Sequence, residues 1–326
     1  MTAPPPRGRD PGPLPGTAMR LLLVLLFIIW SNAFTSIKYL REVMSPMELV
    51  LARFLPAAVF CLVYLLAVPR LREESAMILR KAPGRLVAMG LTGVAGYNFF
   101  LYIGQSEIKP GAAALLTTLS PLFTLLGAVV FLRERVPLRR TLGIIIAFAG
   151  LYVVVRWGKV GLGRVTGISH AELRYVLITA LAPLCWTIYT IAGKNLLARA
   201  SAITVTYLTI IIGTLPFLAA AGRPFFDALA LFTPMHWIAL AHLTVLCTLV
   251  GFWIWFAALE SMPATSVASF VYLNPPLAAL FGSLFFHEAI TGFYILGAAI
   301  VLAGLYLAQS NQRKNTRRGD AITAIK

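Results

Sequence analysis

The sequence predicts an all-α polytopic membrane protein with ten transmembrane helices in two inverted five-helix repeats. Composition indicates the class, because 59% of the 326 residues are hydrophobic, 12% are charged and the mean hydropathy is +0.82. A soluble domain carries about 25% charged residues. Apolar runs of about 20 residues, long enough to cross the ~30 Å hydrocarbon core, recur along the chain. An internal repeat predicts how the helices are arranged.

The internal repeat pairs residues 111–155 with residues 265–309. The two stretches align without a gap at an offset of 154 positions, and 13 of the 45 pairs are identical. The identical pairs include Pro121/Pro275, Glu134/Glu288, Gly143/Gly297 and Gly150/Gly304. A repeat of this length, with matched prolines and glycines, indicates two copies of one structural unit.

Each copy contains five apolar runs that we predict as membrane helices. In chain order they are 20–40, 46–67, 85–107, 111–132 and 139–156, then 172–194, 202–221, 235–257, 264–286 and 290–309. The first run is too long for the apolar region of a signal peptide. We therefore predict a first repeat over 19–156, a Gly-rich linker over 157–171 and a second repeat over 172–309. A disordered tail is predicted for 1–18 and a basic tail for 310–326.

The distribution of Lys and Arg predicts the orientation of the helices. With the N-terminus inside, the cytoplasmic segments hold 18 of these residues and the outer segments hold seven, as the positive-inside rule requires. The loop 133–140 contains four basic residues, whereas its repeat partner 287–294 contains none. Because five is an odd number, the second copy sits upside down. The sequence thus predicts a cell (inner) membrane protein with both termini in the cytoplasm.

Several functions are disfavoured by composition. The net charge of +16 is spread over short loops and not along one face, so nucleic acid is not a predicted partner. Cys61, Cys185 and Cys247 lie in apolar runs without metal-ligand spacing, so no metal site or cofactor is predicted. An enzyme is not predicted, because the four histidines are scattered and the predicted helix centres lack carboxylates.

Matched prolines mark the fourth helix of each copy. Ser120 precedes Pro121, and Asn274 precedes Pro275. Proline removes a backbone donor and kinks a helix, which frees carbonyl groups that a cavity can accommodate. We predict Pro121 and Pro275 as hinges beside a substrate path, with Ser120 and Asn274 as polar contacts. The alternative is that prolines are simply common in membrane helices.

Matched tryptophans mark the first helix of each copy. Trp30 to Lys38 and Trp186 to Lys194 both read W-x7-K. Membrane tryptophans usually lie at the interfaces, so a tryptophan near the membrane centre needs close packing or a cavity. The predicted lining residues on these two helices are Trp30, Asn32, Thr35, Trp186 and Tyr189. Helix packing remains the alternative.

The third helix of each copy is rich in aromatic residues. Tyr97, Asn98, Tyr102 and Trp253 are predicted to line the same cavity, with Asn98 as a hydrogen-bonding group. Trp253 and Trp255 are two positions apart and cannot share one helix face, so at most one of them faces the cavity. Ordinary packing of aromatic rings is the alternative.

Two titratable residues lie within predicted helices. Arg53 should face inward or snorkel, because a charge at the bilayer centre is unfavourable. It could attract a carboxylate, and the alternatives are snorkelling or pairing with Glu48. His242 is a candidate for gating or protonation, although a single histidine is more often structural.

These motifs resemble the EamA-like family of the drug/metabolite transporter superfamily. The resemblance rests on residues 114–150 and 268–304, on the W-x7-K pair, and on Pro46, Arg53 and Phe54. It implies a central cavity lined by helices 1, 3, 4, 6, 8 and 9, and an exporter of amino acids, related metabolites or toxic solutes. Arg53 falls opposite Tyr207, so the second copy lacks its equivalent.

The predicted function is a secondary transporter that exports a small metabolite, such as an amino acid or a related amphipathic solute, by alternating access. Inverted repeats with a central site are typical of such proteins. The alternatives are a membrane-embedded enzyme and a non-transporting scaffold or sensor. The predicted partners are a small-molecule substrate and the lipid bilayer, and the chain is predicted to be a monomer or a weak homodimer.

Overall fold

The computed structural model describes residues 16–105, 110–134, 136–157, 170–286 and 292–309, and the regular elements in these ranges are all helices. The first copy comprises α1 (Gly16–Leu40), α2 (Pro46–Ala67), α3 (Pro69–Lys81), α4 (Pro83–Gly104), α5 (Pro110–Thr117), α6 (Ser120–Phe131) and α7 (Leu138–Trp157). The second comprises α8 (His170–Leu196), α9 (Ala202–Thr214), α10 (Arg223–Ala230), α11 (Pro234–Ser261), α12 (Ala264–Ser269), α13 (Asn274–Phe286) and α14 (Gly292–Gln309). Two 3-10 stretches, Leu215–Ala220 and Phe270–Leu273, follow α9 and α12.

Six helices in the described ranges are long and apolar enough to cross a membrane, by length and composition. They are α1, α2, α4, residues Leu177–Leu196 of α8, α9 with its extension to Ala220, and α11. Helix α6 and residues Ile295–Ala308 of α14 are apolar but shorter. Within the described residues, each predicted span overlaps one helix or two consecutive helices.

The ends of the predicted segments differ slightly from the structure. Helix α1 begins at Gly16, so residues 16–18, predicted as part of the tail, are helical. Trp157 and residues 170–171, predicted as linker, are helical too. The rest of both tails, residues 158–169 of the linker and Glu288 lie outside the described residues.

Capping at Ser45 fixes the connection between α1 and α2. The Ser45 side chain accepts from the Glu48 backbone N–H, and Glu48 accepts from the Ser45 N–H over 2.7 Å. Pro46 occupies the first turn, where its missing N–H is not needed. The Glu48 carboxylate is thus used at the start of α2.

The fourth predicted helix of each copy is interrupted immediately before its proline. A turn at Thr118–Leu119 separates α5 from α6, and the 3-10 stretch Phe270–Leu273 separates α12 from α13. Pro121 and Pro275 then lie in the first turn of a new helix, where proline is well tolerated. The prolines therefore accompany breaks between half-helices, a larger departure from regularity than the predicted kinks.

The third predicted helix of each copy contains a π-helical stretch. It covers Gly90–Gly96 in α4 and His242–Val250 in α11. In α11 the Thr248 hydroxyl donates to the Leu243 carbonyl five residues earlier, over 2.9 Å. A π stretch places more residues in each turn and so rotates the helix faces that follow it.

Helices α7 and α14, which are equivalent in the two copies, pack backbone to backbone. A Cβ added at Gly143 would lie 2.7 Å from the Gly304 carbonyl oxygen, and one at Gly150 would lie 2.8 Å from the Gly297 carbonyl oxygen. Small residues permit such close approach of membrane helices. Because the higher number on one helix meets the lower number on the other, the two helices are antiparallel.

Polar contacts join the copies where α6, α8 and α11 end. The Glu134 carboxylate accepts from the Ala264 N–H (2.9 Å) and the Thr265 hydroxyl (3.1 Å). Arg140 donates to the same hydroxyl over 2.8 Å. Within the second copy, the Lys194 ammonium donates to the Met262 carbonyl over 2.8 Å at the same end. A carboxylate at the N-terminus of α12 also complements its dipole. This end of the bundle is therefore held together across the repeat interface.

Candidate functional site

A cavity lies between the two copies. Its wall contains the helices that the family resemblance implied, and α2 contributes to it through Arg53. The lining residues are Phe27, Trp30, Ala33, Phe34, Ile37, Arg53, Tyr97, Leu101, Thr117, Ser120, Trp186, Phe252, Val271 and Asn274. On α1 the lining runs from Phe27 to Ile37, toward the end of the helix that is far from the Glu134 contacts.

Six of the residues singled out from the sequence meet in this wall. They are Trp30, Arg53, Tyr97, Ser120, Trp186 and Asn274. The half-helix breaks bring Ser120 and Asn274 to the cavity, because each begins the helix that follows a break. Asn274 is 5% exposed, and its carboxamide oxygen lies 3.0 Å from the Ser31 hydroxyl. This hydrogen bond ties the second copy to α1.

The two matched tryptophans contact each other at the centre of an aromatic cluster. The Trp30 and Trp186 rings are 5.4 Å apart and nearly perpendicular. Trp186 also contacts Tyr97 at 5.0 Å, Trp255 at 5.2 Å and Phe252 at 5.5 Å between ring centroids. The Trp30 indole N–H donates to the Cys247 carbonyl over 2.9 Å. Edge-to-face contacts of this kind fix ring positions, so the cluster makes a rigid apolar wall.

Arg53 is buried and held by both copies. Its Nε donates to the Thr248 hydroxyl over 2.8 Å. Its Nη1 donates to Asn98 Oδ1 over 3.0 Å and to the Tyr102 hydroxyl over 2.7 Å. The side chain is 5% exposed, so it does not snorkel. Pairing with Glu48 is not made either, since Glu48 caps α2.

Asn98 and Tyr102 are not in the cavity wall, contrary to the sequence-based prediction. Both are buried against Arg53, which they position from α4. The π stretch at Gly90–Gly96 precedes them and rotates the helix face on which they lie. Thr248, inside the other π stretch, was not predicted and completes the set of Arg53 partners. The two helices that contain π stretches thus supply the hydrogen-bond partners of the Arg53 guanidinium.

Trp253 does not line the cavity, contrary to the sequence-based prediction. Trp253 is 37% exposed at the outer surface of α11, whereas Trp255 is fully buried in the aromatic cluster. Only one of the two rings faces inward, as the two-residue spacing requires. The π stretch at His242–Val250 sets which face of the following helix turns inward, and that stretch is not visible in the hydrophobic pattern.

Tyr189, Asn32 and Thr35 also lie outside the wall. The Tyr189 hydroxyl is buried within 3.2 Å of the Thr209 hydroxyl, and its ring supports Trp186 from behind at 5.3 Å. Asn32 and Thr35 are partly buried on other faces of α1. Sequence proximity to a tryptophan therefore did not predict a shared helix face.

His242 lies beside α1 at the start of the π stretch. Its Nδ1 is 3.0 Å from the Ser36 hydroxyl, and its Nε2 is 3.6 Å from the Cys247 sulfur. It does not reach the cavity wall. The contacts place it in the packing between α1 and α11.

Several lining residues were missed from the sequence. Thr117 and Val271 are repeat partners at the offset of 154 and lie one turn before Ser120 and Asn274. The repeat that identified Pro121 and Pro275 could have identified this pair as well. Phe34 and Phe252 carried no such signal, because phenylalanine is common in apolar helices.

Comparisons with known proteins agree with the fold. The profile of the EamA-like transporter family matches residues 18–156 and 173–309. A solved crystal structure resembles the chain with a TM-score of 0.70 at 20% identity, covering 91% of this chain and 97% of the other. At that identity the likeness concerns the fold alone.

Curated relatives span nearly the whole chain. An "Uncharacterized transporter" of Archaeoglobus fulgidus is 28% identical over 290 residues, covering 88% of this chain and 97% of the relative. A "Probable terminal-alkyne amino-acid exporter" of Streptantibioticus cattleyicolor is 28% identical, with coverage of 92% and 96%. A "Probable amino-acid metabolite efflux pump" of Salmonella typhimurium is 27% identical, with coverage of 88% and 93%. The chain is a multi-pass membrane protein that belongs to the EamA-like transporter family.

Proposed function

We propose that this protein exports a small amphipathic metabolite, such as an amino acid or a related compound, as a secondary transporter and not as an enzyme. The observation that carries the proposal is the cavity between the copies, whose wall combines the matched residues Trp30 and Trp186 with Ser120 and Asn274. Inverted-repeat transporters bind substrate at such an interface. The printed names of two relatives, an amino-acid exporter and an amino-acid metabolite efflux pump, support this substrate class.

The proposed topology has ten transmembrane spans in two inverted copies, over residues 19–156 and 172–309. The antiparallel packing of α7 against α14 supports inversion, because these are the equivalent fifth helices. Both termini are proposed to lie in the cytoplasm of a cell whose inner membrane holds the protein. Fusion of a phosphatase reporter after Lys326 tests this: an inactive phosphatase is expected, and an active one would reverse the orientation.

The cavity and the polar contacts at opposite ends support an outward-facing conformation. Glu134 and Arg140 join the copies at the proposed cytoplasmic end, while the cavity lining on α1 extends toward Leu40 at the other end. Export then requires that these contacts open while the half-helices around Pro121 and Pro275 tilt. Two packings of one set of helices suffice for alternating access.

Purified protein in liposomes tests the proposal directly. Vesicles that contain the protein are loaded with a metabolite extract. Their external and internal solutes are compared over time with those of protein-free liposomes loaded with the same extract. We expect selective loss of a few amphipathic solutes without chemical change. A chemically modified product would indicate an enzyme, and the absence of any protein-dependent flux would favour a scaffold or a sensor.

A further inference from the structure

We propose that the substrate carries one net negative charge, as a carboxylate joined to an apolar or aromatic body without an ammonium group; this builds on the proposed transport function and selects, within its amphipathic metabolites, compounds related to amino acids and not amino acids themselves. The carboxylate would bind Arg53, and the body would lie against Trp30 and Trp186. Three features of the described residues support this: the burial of Arg53, the chemistry of its partners and the apolar character of the wall.

Arg53 is a cation placed where a cation is unfavourable. It is the eighth residue of α2, a 22-residue helix long enough to span a membrane. Its side chain is 5% exposed and lines the cavity. A charge at that depth normally faces a pairing group or a polar substrate path. The location therefore calls for an anion near the guanidinium.

The protein holds this guanidinium without neutralising it. The hydrogen-bond partners of Arg53 among the described residues are Thr248, Asn98 and Tyr102, which are all uncharged donors or acceptors. A guanidinium has five N–H donors in a planar fork. Nε and Nη1 are engaged, and Nη2 makes no hydrogen bond to the described part of the chain. The partners thus orient the fork and leave one nitrogen at the cavity.

Four described carboxylates accept hydrogen bonds from backbone N–H groups and not from Arg53. Glu48 accepts from the Ser45 N–H, and Glu134 accepts from the Ala264 N–H. Glu74 and Glu260 do the same at the start of α9, where they accept from the N–H groups of Ser201 and Ala202. Each therefore stabilises a helix start, and we assign the anion at Arg53 to the ligand.

A carboxylate suits the free Nη2 group, because a charge-assisted hydrogen bond from a guanidinium to a carboxylate oxygen is roughly twice as strong as one between neutral groups. A ligand of charge −1 makes the loaded cavity neutral. An amino-acid zwitterion would leave the cavity positive, and its ammonium would lie in a wall whose described lining residues include no acidic side chain. An amine would add a second positive charge. The charge balance therefore favours a monocarboxylate.

Three probes that share a phenyl body separate these possibilities in the unmodified protein. They are 3-phenylpropanoate (charge −1), phenylalanine (charge 0) and 2-phenylethylamine (charge +1). Binding to the full chain in lipid nanodiscs is followed by quenching of tryptophan fluorescence, since Trp30 and Trp186 line the cavity. We expect 3-phenylpropanoate to bind about tenfold or more tightly than phenylalanine, and 2-phenylethylamine to bind least.

Substitutions then assign the preference to Arg53. Arg53→Gln should abolish the preference for 3-phenylpropanoate, while Arg53→Lys should keep it with weaker affinity. Arg85→Gln, a change at an exposed arginine near the start of α4, is the matched control and should leave the preference unchanged. If Arg53→Gln does not fold, the probe series in the wild-type protein still decides the question.

Several outcomes would overturn the charge assignment. They are phenylalanine binding as tightly as 3-phenylpropanoate, no binding by any probe, and a preference that survives Arg53→Gln. Liposome flux separates this failure from failure of the transporter proposal. Flux of a zwitterion without anion preference would contradict the charge assignment but support the transporter proposal. Binding of 3-phenylpropanoate through Arg53 without any flux would support the charge assignment but contradict the transporter proposal.

Discussion

Trp186 and Trp253 show how differently two tryptophans of the same bundle are used. Trp186 lines the cavity and touches five other aromatic rings, including its repeat partner Trp30. Trp253 is 37% exposed at the outer surface. A side chain in the cavity can act on substrate, whereas one at the outer surface meets only lipid. The two residues therefore form a matched pair for mutation.

Substitution of Trp186 by phenylalanine should weaken substrate binding without unfolding the protein. An aromatic contact contributes about 1 kcal/mol, so we expect roughly fivefold weaker binding. Trp253→Phe should leave binding unchanged. Initial rates of liposome flux at several substrate concentrations give the KM of each variant. An equal KM for wild type and Trp186→Phe would place the binding site elsewhere.

The sequence predicted Trp186 at the cavity but did not predict which member of the Trp253/Trp255 pair faces inward. Trp186 was found because its repeat partner Trp30 made the position stand out from the aromatic background. Trp255 has no such partner signal. Its inward position depends on the π stretch at His242–Val250, and a period of 3.6 residues cannot anticipate the rotation that this stretch causes.

The interrupted fourth helix of each copy places its break at the cavity. Thr117 ends α5, and Ser120 begins α6, with a two-residue turn between them. Pro121 cannot donate the backbone hydrogen bond that would join the halves. The missing hydrogen bond favours the break, and Pro121 lies in the first turn of α6, where proline is well tolerated.

Substitution of Pro121 by alanine should favour a continuous helix and slow transport. The new N–H can donate to the carbonyl of Thr117, which stabilises the joined form by up to about 3 kcal/mol. We expect the flux to fall several-fold at unchanged expression and unchanged substrate affinity. Pro83→Ala is the control, since Pro83 also occupies a first turn but lies at the exposed start of α4.

Quantified protein in liposomes and initial flux rates measure this effect. Full transport by Pro121→Ala would remove the hinge role of the break. The same experiment is harder to interpret at Pro275, because Pro276 follows it and would preserve the interruption.

The positions of the helices could be predicted from the sequence, whereas the π and 3-10 stretches within them could not. Lengths of apolar runs located the helices to within a few residues, as at 46–67, which matches α2. The same runs could not reveal π or 3-10 stretches, because those depend on local hydrogen bonding and not on hydropathy. Arg53 illustrates the result, since its position was evident but its partners Thr248 and Asn98 were not.

At the scale of the whole molecule, the α7–α14 seam joins the copies independently of the cavity. Its glycines are repeat-matched, so each copy offers the other the same small-residue surface. Close backbone approach replaces side-chain packing there. The internal repeat identified the matched glycines, although the sequence alone did not specify that these two helices touch.

Gly304→Ala should lower the thermal stability of the protein. A Cβ at this position would lie 2.6 Å from the Gly143 carbonyl oxygen. Such overpacking costs about 1–3 kcal/mol, and we expect the apparent Tm to fall by several degrees. Gly292→Ala, at the open start of the same helix, has no atom within 4 Å and is the control. Unfolding followed by size-exclusion chromatography after heating measures both. Equal Tm values would show that the seam tolerates separation.

The unneutralised guanidinium of Arg53 also has an electrical consequence. A carrier whose cavity is neutralised by a monocarboxylate moves one negative charge outward in each cycle. An interior-negative membrane potential favours this movement by about 2.3 kcal/mol per 100 mV. Liposomes loaded with 3-phenylpropanoate and given a valinomycin potassium potential should empty faster when the interior is negative. Efflux that ignores voltage would mean that a proton or a second anion compensates the charge. If efflux does depend on voltage, the membrane potential that a cell already maintains would suffice to drive export.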